Sequence, residues 1–128
     1  LGVIFKILYI AIILKIYKIL LLIYIYKQNE KTNENLGGTV TYAGVQSGYG
    51  NCVEIKHEIE GKEIYTFDGH LSEIDVSLGE EVEQGKIIGK EGGGAGDPNR
   101  GTSTGAHLHF EIRNEKREAQ NPRDYINF

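Results

Sequence analysis

The chain has 128 residues, of which 40% are hydrophobic and 25% charged, so it has room for one modest domain; two large domains and a fully disordered chain are both excluded. Residues 1–29 carry four Lys and no acid, whereas residues 30–128 carry the other 10 basic residues and all 18 acidic ones, a balance of −8. Residues 30–128 lack a basic stripe and are not expected to bind nucleic acid. The single cysteine, Cys52, excludes an internal disulfide framework.

The chain opens with a hydrophobic segment. Residues 3–26 read VIFKILYIAIILKIYKILLLIYIY, which is long enough to cross a bilayer core as a helix. Lys15 and Lys18 near its middle each cost about 3 kcal/mol on insertion, and the many Ile and Leu residues, at roughly 0.5 kcal/mol each, slightly outweigh them. We expect a transmembrane or signal-anchor helix over residues 1–26; the alternatives are an interfacial helix or upstream DNA translated as if coding.

A short linker and a β domain are expected next. The polar run KQNEKTNENL over residues 27–36 predicts a linker that keeps the following domain, residues 37–128, close to the membrane. That domain contains 16 of the 17 glycines and several short alternating stretches, at residues 39–43, 52–59, 64–67, 86–89 and 107–113. Short strands separated by frequent turn signals predict an all-β fold, a compact sandwich or barrel.

A glycine-rich loop interrupts the predicted strands. Residues 92–101 read GGGAGDPNRG, without the Lys-Ser/Thr pair or the following helix of a phosphate-binding loop. We therefore expect a mobile rim beside a functional site.

Histidines are the candidate chemical groups. His107 and His109 are two residues apart on a predicted strand and so share one face, whereas Leu108, Phe110 and Ile112 share the other and can pack in the core. His70 is a possible third partner, and the position of His57 suits a solvent-facing or structural role. A His-x-His pair alone is a weak signal, because most such histidines lie on the surface or are satisfied in the core.

Three strings in a fixed order are specific: GHLS at residues 69–72, GEEVEQGKIIG at 79–89 and STGAHLHFE at 103–111. With them, residues 37–125 resemble the lysostaphin-like, LytM-type metalloendopeptidases. The resemblance implies a duplicated-hybrid-motif β fold, a zinc cofactor, and hydrolysis of peptidoglycan peptide bonds. It also implies action outside the cytoplasmic membrane, and with the hydrophobic segment we expect a location at the bacterial cell membrane, with the domain facing the cell wall.

The resemblance assigns roles to three residues. His109 would be a zinc ligand, and His70 and His107 would be the catalytic pair that orients the attacking water and stabilises the oxyanion. The family takes two further zinc ligands, a His and an Asp four residues later, from the segment before the Gly-Thr-Val motif. Residues 1–36 contain neither His nor Asp, so only one of three expected ligands is present.

Two accounts of this gap stay open. The chain is a degenerate homologue that binds peptidoglycan peptide, glycan or an envelope protein without cutting, which the hydrophobic segment favours. Alternatively, an upstream segment with the missing ligands has been lost, which the absence of Met favours.

Carrier and phosphotransfer domains are the remaining alternatives. Residues 82–89 also resemble a hairpin of biotinyl and lipoyl carriers, but neither Lys86 nor Lys90 lies in a carrier motif. A carrier role also leaves the His-x-His pair unexplained. A phosphotransfer domain with a reactive histidine is a fold-level analogy only.

Overall fold

The computed structural model describes residues 37–126, which fold into an antiparallel all-β domain as the alternating stretches predict. The helix expected over residues 1–26 and the linker expected over 27–36 lie outside the described residues. Across residues 37–126, no helix has the length and apolar character that a membrane span requires.

The strands of the described region pair into one sheet. Their order is β4-β1-β2-β3-β6-β7, and β5 pairs with the far end of β3. The elements are β1 (Gly38–Gln46), β2 (Gly50–Ile59), β3 (Lys62–Ile74), β4 (Glu81–Val82), β5 (Gly89–Glu91), β6 (His109–Arg113), β7 (Ala119–Gln120) and a 3-10 helix (Pro122–Asp124).

Two of the predicted strand boundaries are displaced. The stretch at 86–89 follows a turn closed by a hydrogen bond from the Lys86 amide to the Glu83 carbonyl; residues 86–88 are irregular, and β5 begins only at Gly89. The stretch at 107–113 begins its ladder at His109, and His107 instead forms an isolated bridge with Gly92.

Strand β3 lies in the interior of the sheet, and its successive side chains point alternately to the two faces of the sheet. Its residues Thr66 and Asp68 lie opposite Ile55 and Val53 of β2, on what we call the core face. The buried core comprises Val40, Val53, Ile55, Leu71, Val76, Val82 and Ile88. Leu108 and Phe110 pack against this core and Ile112 is buried, as the alternation of β6 predicts.

The opposite side, which we call the polar face, carries the charged and aromatic side chains. Phe67 on this face contacts the Tyr49 ring, with 4.8 Å between ring centroids. Gly69 lies beside these rings, where a Cβ would make ordinary van der Waals contact with Tyr49 and His109 at 3.5 Å.

His57 belongs to the core face. Its side chain is buried, and its Nε2 lies 2.9 Å from the Thr66 hydroxyl. The solvent-facing alternative is therefore wrong, and the structural one is correct.

Candidate functional site

Three histidine rings meet where β3 and β6 run side by side. The ring centroid of His70 lies 4.8 Å from that of His107 and 5.7 Å from that of His109. We call this group the histidine cleft. The fold thus brings together the three residues that the sequence singled out, across up to 39 positions of chain.

His70 is held in an uncommon backbone conformation. Its φ of 57° lies in the left-handed region, which non-glycine residues rarely adopt. The amide of His70 donates to the Tyr49 carbonyl at 2.8 Å, and its Nδ1 lies 2.8 Å from the Arg100 carbonyl oxygen. Backbone from two distant loops therefore fixes this ring.

The glycine-rich loop lies beside the cleft, as expected of a rim, and its end is tied down. The Asn51 amide donates to the Asn99 carbonyl and the Thr102 amide to the Gly48 carbonyl, both at 2.8 Å. Gly50 permits this approach, since a Cβ there would overlap the Asn99 carbonyl. The loop segment that carries Arg100 is thereby fixed against the β1–β2 turn.

His107 is held by its own neighbours. Its Nδ1 lies 2.7 Å from the Gly105 carbonyl oxygen and 3.2 Å from the hydroxyl of buried Ser103. Its amide donates to the Gly92 carbonyl at 3.1 Å. The ring is therefore oriented by backbone, as the His70 ring is.

His109 is held by a carboxylate instead. Its Nε2 lies 2.6 Å from Glu111 Oε1, and the Tyr49 hydroxyl donates to the same oxygen at 3.2 Å. The Tyr49 ring also packs against the His109 ring, at 5.2 Å between centroids.

An ion network continues from Glu111 across the polar face. Arg113 Nε donates to Glu111 Oε2 at 2.7 Å, and the guanidinium also reaches Glu54 Oε2 at 3.2 Å. Burial alone would raise the pKa of Glu111, but hydrogen bonds from Arg113 and His109 outweigh it, so this pKa is lowered. Burial works to lower the pKa of Arg113, and the hydrogen bond to Glu111 reverses this to a net increase.

Sequence reasoning missed Glu111, Arg113 and Glu54 as parts of the site. One signal was available: His109, Glu111 and Arg113 alternate along one predicted strand and so share its face.

Asp68 lies on the core face between Val53 and Phe110, opposite to the face that carries His109 and Glu111. Its side chain is fully buried, and neither carboxylate oxygen has a hydrogen-bond partner among the described residues. Burial raises its pKa well above the usual value.

The described residues do not fit the zinc that the family resemblance implies. No group of three or more His, Cys, Asp or Glu in residues 37–126 is arranged to hold a metal ion. A catalytic zinc takes three protein ligands, and the resemblance places one, His109, in this region. The described residues do show three imidazoles, each oriented by a hydrogen bond.

Comparison with known proteins gives consistent matches. The family model described as Peptidase family M23 matches residues 27–122. The chain is 34% identical over 90 residues to DD-carboxypeptidase/endopeptidase Mpg of Neisseria meningitidis serogroup B, covering 70% of this chain and 19% of Mpg. The chain thus spans about a fifth of the length of that relative.

Solved protein structures also match the fold of this chain. The catalytic domain of lysostaphin from Staphylococcus simulans matches with a TM-score of 0.60 and 28% identity, over 72% of this chain and 68% of that domain. A chain of the SpoIIQ-SpoIIIAH pore forming complex matches with a TM-score of 0.56 and 31% identity, over 77% of this chain and 61% of that chain. On the family match, the ordered strings and the shared fold, this chain belongs to peptidase family M23, as a lysostaphin-like, LytM-type member.

Proposed function

We propose that this chain is a membrane-anchored domain of the bacterial cell envelope that binds peptidoglycan at the histidine cleft without hydrolysing it. In this proposal residues 1–26 form the anchor, residues 27–36 the linker, and residues 37–128 a compact duplicated-hybrid-motif domain that faces the cell wall. The hydrophobic run at 3–26 supports the anchor, and the likeness to Mpg and lysostaphin supports the fold and a cell-wall peptide as the ligand.

One contrast carries the proposal. The rings of His70, His107 and His109 lie close together and are each oriented by a hydrogen bond, yet the described residues hold no metal-binding group. A binding cleft needs only the oriented rings, whereas hydrolysis by the family route also needs a bound metal ion.

Each ring has a role in this proposal. His70 and His107, the pair that would orient water and an oxyanion in an active relative, hydrogen-bond the peptide here. His109, which would be a zinc ligand there, completes the cleft. Family hydrolysis at this cleft would need metal ligands beyond those that residues 37–126 supply.

A second candidate is binding to another envelope protein. The likeness to a chain of the SpoIIQ-SpoIIIAH complex favours it, because that relative assembles with a protein. In this case the cleft would be a remnant, and another surface would bind the partner.

The test uses the full chain in detergent micelles with purified peptidoglycan sacculi. We expect co-sedimentation with the sacculi, no stoichiometric zinc and no release of free amines. His107→Ala should weaken co-sedimentation by about tenfold, the effect of one good hydrogen bond. Tyr125→Ala, which removes an exposed ring after the last strand, should leave it unchanged.

Three results would count against the proposal. Stoichiometric zinc with amine release that His107→Ala abolishes would show hydrolysis. Absence of sedimentation would favour the protein-binding role. Equal sedimentation of His107→Ala and Tyr125→Ala would place the binding surface outside the cleft.

A further inference from the structure

The hydrogen bonds of the cleft determine where two of the rings carry their protons. His70 Nδ1 lies 2.8 Å from the Arg100 carbonyl oxygen, and His107 Nδ1 lies 2.7 Å from the Gly105 carbonyl oxygen. A carbonyl oxygen only accepts hydrogen bonds, so each Nδ1 must carry a proton. In the neutral rings, Nε2 of both residues is therefore an unprotonated acceptor.

His109 has the opposite arrangement. Its Nε2 lies 2.6 Å from Glu111 Oε1, and an ionised carboxylate only accepts. The proton of the neutral ring therefore sits on Nε2, and Nδ1 is the acceptor.

Arg113 determines how Glu111 is oriented. Its Nε donates to Glu111 Oε2 at 2.7 Å. The other oxygen, Oε1, accepts hydrogen bonds from His109 Nε2 and the Tyr49 hydroxyl. Arg113 is itself held, because its guanidinium reaches Glu54 and lies 4.0 Å from the centroid of the Phe67 ring. The side chains of Arg113, Glu111 and Glu54 are only 14%, 17% and 7% exposed, so water competes weakly for these bonds.

We propose that Glu111, oriented by Arg113, is a positioning residue that keeps His109 in the Nε2–H tautomer. Each of the three rings then keeps one unprotonated nitrogen. Such a set of acceptors suits ligands that donate hydrogen bonds, namely the amide N–H and ammonium groups of a wall peptide. The assignment of the ligand rests on the proposed function, whereas the assignment of the tautomer does not.

The test is nuclear magnetic resonance of the full chain in detergent micelles, labelled with 15N at its four histidines, at about pH 8, where an ordinary imidazole is neutral. Long-range 1H–15N correlations distinguish the two tautomers of each ring. We expect Nδ1–H for His70 and His107, and Nε2–H for His109. A His109 ring in the Nδ1–H form would overturn the proposal without any substitution.

Glu111→Gln gives a sharper test. Arg113 requires an acceptor, so the amide oxygen should face Arg113 and the NH2 group should face His109. His109 must then accept at Nε2, and its proton should move to Nδ1. A purely structural role of Glu111 would leave the tautomer unchanged, so a His109 ring that stays Nε2–H while the His57 signals are native would overturn the proposal.

The double variant Glu111→Gln/Arg113→Met should restore the Nε2–H tautomer of His109. The amide is then free to turn its oxygen toward His109, and the Nε2–H form should return; persistence of Nδ1–H would contradict the role of Arg113. Glu118→Gln, an exposed carboxylate before β7, is the matched control and should change none of the cleft rings.

The same variants test the ligand. Retention by sacculi should fall about tenfold in Glu111→Gln and recover in the double variant, since one acceptor is lost and then restored. Unchanged retention despite a switched tautomer would overturn the ligand assignment alone. Failure of the unsubstituted chain to bind sacculi would instead reject the proposed function and leave the tautomer result standing.

Discussion

Asp68 is the residue whose surroundings fit it least. It lies fully buried on the core face between Val53 and Phe110, and neither oxygen has a partner in the described region. A buried carboxyl without partners is far cheaper to keep neutral than ionised, so burial raises its pKa. The folded protein therefore binds a proton at Asp68 that the unfolded chain releases at lower pH.

The consequence is a stability that falls as pH rises. The contribution is fully present below the ordinary Asp pKa of about 4 and is lost as pH rises from there through the raised pKa. Asp68→Asn keeps the shape and removes the charge, so it should raise the free energy of unfolding at neutral pH by about 1–3 kcal/mol.

Melting curves of both proteins between about pH 4 and pH 8 check this, since Asn does not titrate. The gap between the variant and the unsubstituted protein should widen as pH rises. A constant gap would show that Asp68 is ionised or partnered throughout.

At the scale of single residues, the sequence predicts the three cleft histidines because alternation and the ordered strings mark them. It does not predict the roles of Glu111 and Arg113, because charged residues on an alternating strand usually point to solvent. Their packing over Phe67 depends on neighbouring strands, which only the pairing register reveals.

At the scale of elements, Glu54 joins three parts of the sheet. It lies on β2 and is buried, and it accepts from Thr41 of β1 at 2.9 Å, from Arg113 of β6 at 3.2 Å and from Arg117 in the β6–β7 turn at 3.0 Å. This one carboxylate thus pairs with two guanidinium groups, one of which, Arg113, is shared with Glu111.

Glu54→Ala should lower the free energy of unfolding by about 3 kcal/mol, because it leaves the mostly buried Arg113 with one carboxylate fewer. Glu73→Ala is the matched control on β3, where the exposed ion pair with Lys90 is screened by solvent and should contribute little. Denaturant unfolding measures both. Equal losses would mean that the Glu54 network adds no more than a surface ion pair.

The sequence predicts that the strands exist better than it predicts the residues at which they begin and end. Strands β1, β2 and β3 contain the predicted alternating stretches because each has several ladder partners. Strand β5 begins only at Gly89 because the backbone leaves the turn at Glu83–Lys86 in an irregular conformation and does not enter the ladder over residues 86–88. Apolar content alone does not report such a turn.

At the scale of the whole molecule, the cleft depends on contact between distant segments. The β1–β2 turn and the end of the glycine-rich loop are about 50 residues apart in sequence, and they touch at Gly50 and Gly101 without side chains between them. Composition and alternation predict that this loop borders a site, but they do not predict which turn fixes it. The family resemblance supplies the fold class, and it implies a zinc that the described residues do not fit.

Gly50→Ala should therefore disturb the cleft from outside it. A Cβ at this position would overlap the Asn99 carbonyl and displace the loop that carries the Arg100 carbonyl. Gly61→Ala has a similar positive φ, 73° against 66°, but meets open space, so it carries only the cost of the left-handed backbone, about 1 kcal/mol.

Melting curves and the 15N signals of His70 compare the two variants. We expect Gly50→Ala to lose more stability than Gly61→Ala and to lose the His70 Nδ1 hydrogen bond. An unchanged His70 spectrum in Gly50→Ala would show that the turn does not hold the loop.

The left-handed backbone at His70 limits which substitutions can test the role of its imidazole. An alanine there would remove the imidazole and also add strain, because short apolar side chains tolerate a φ of 57° poorly. Asparagine is among the few residues that accept this conformation, so His70→Asn separates the chemistry of the ring from the geometry of the chain. Natural replacement of this histidine should for the same reason favour asparagine, aspartate or glycine.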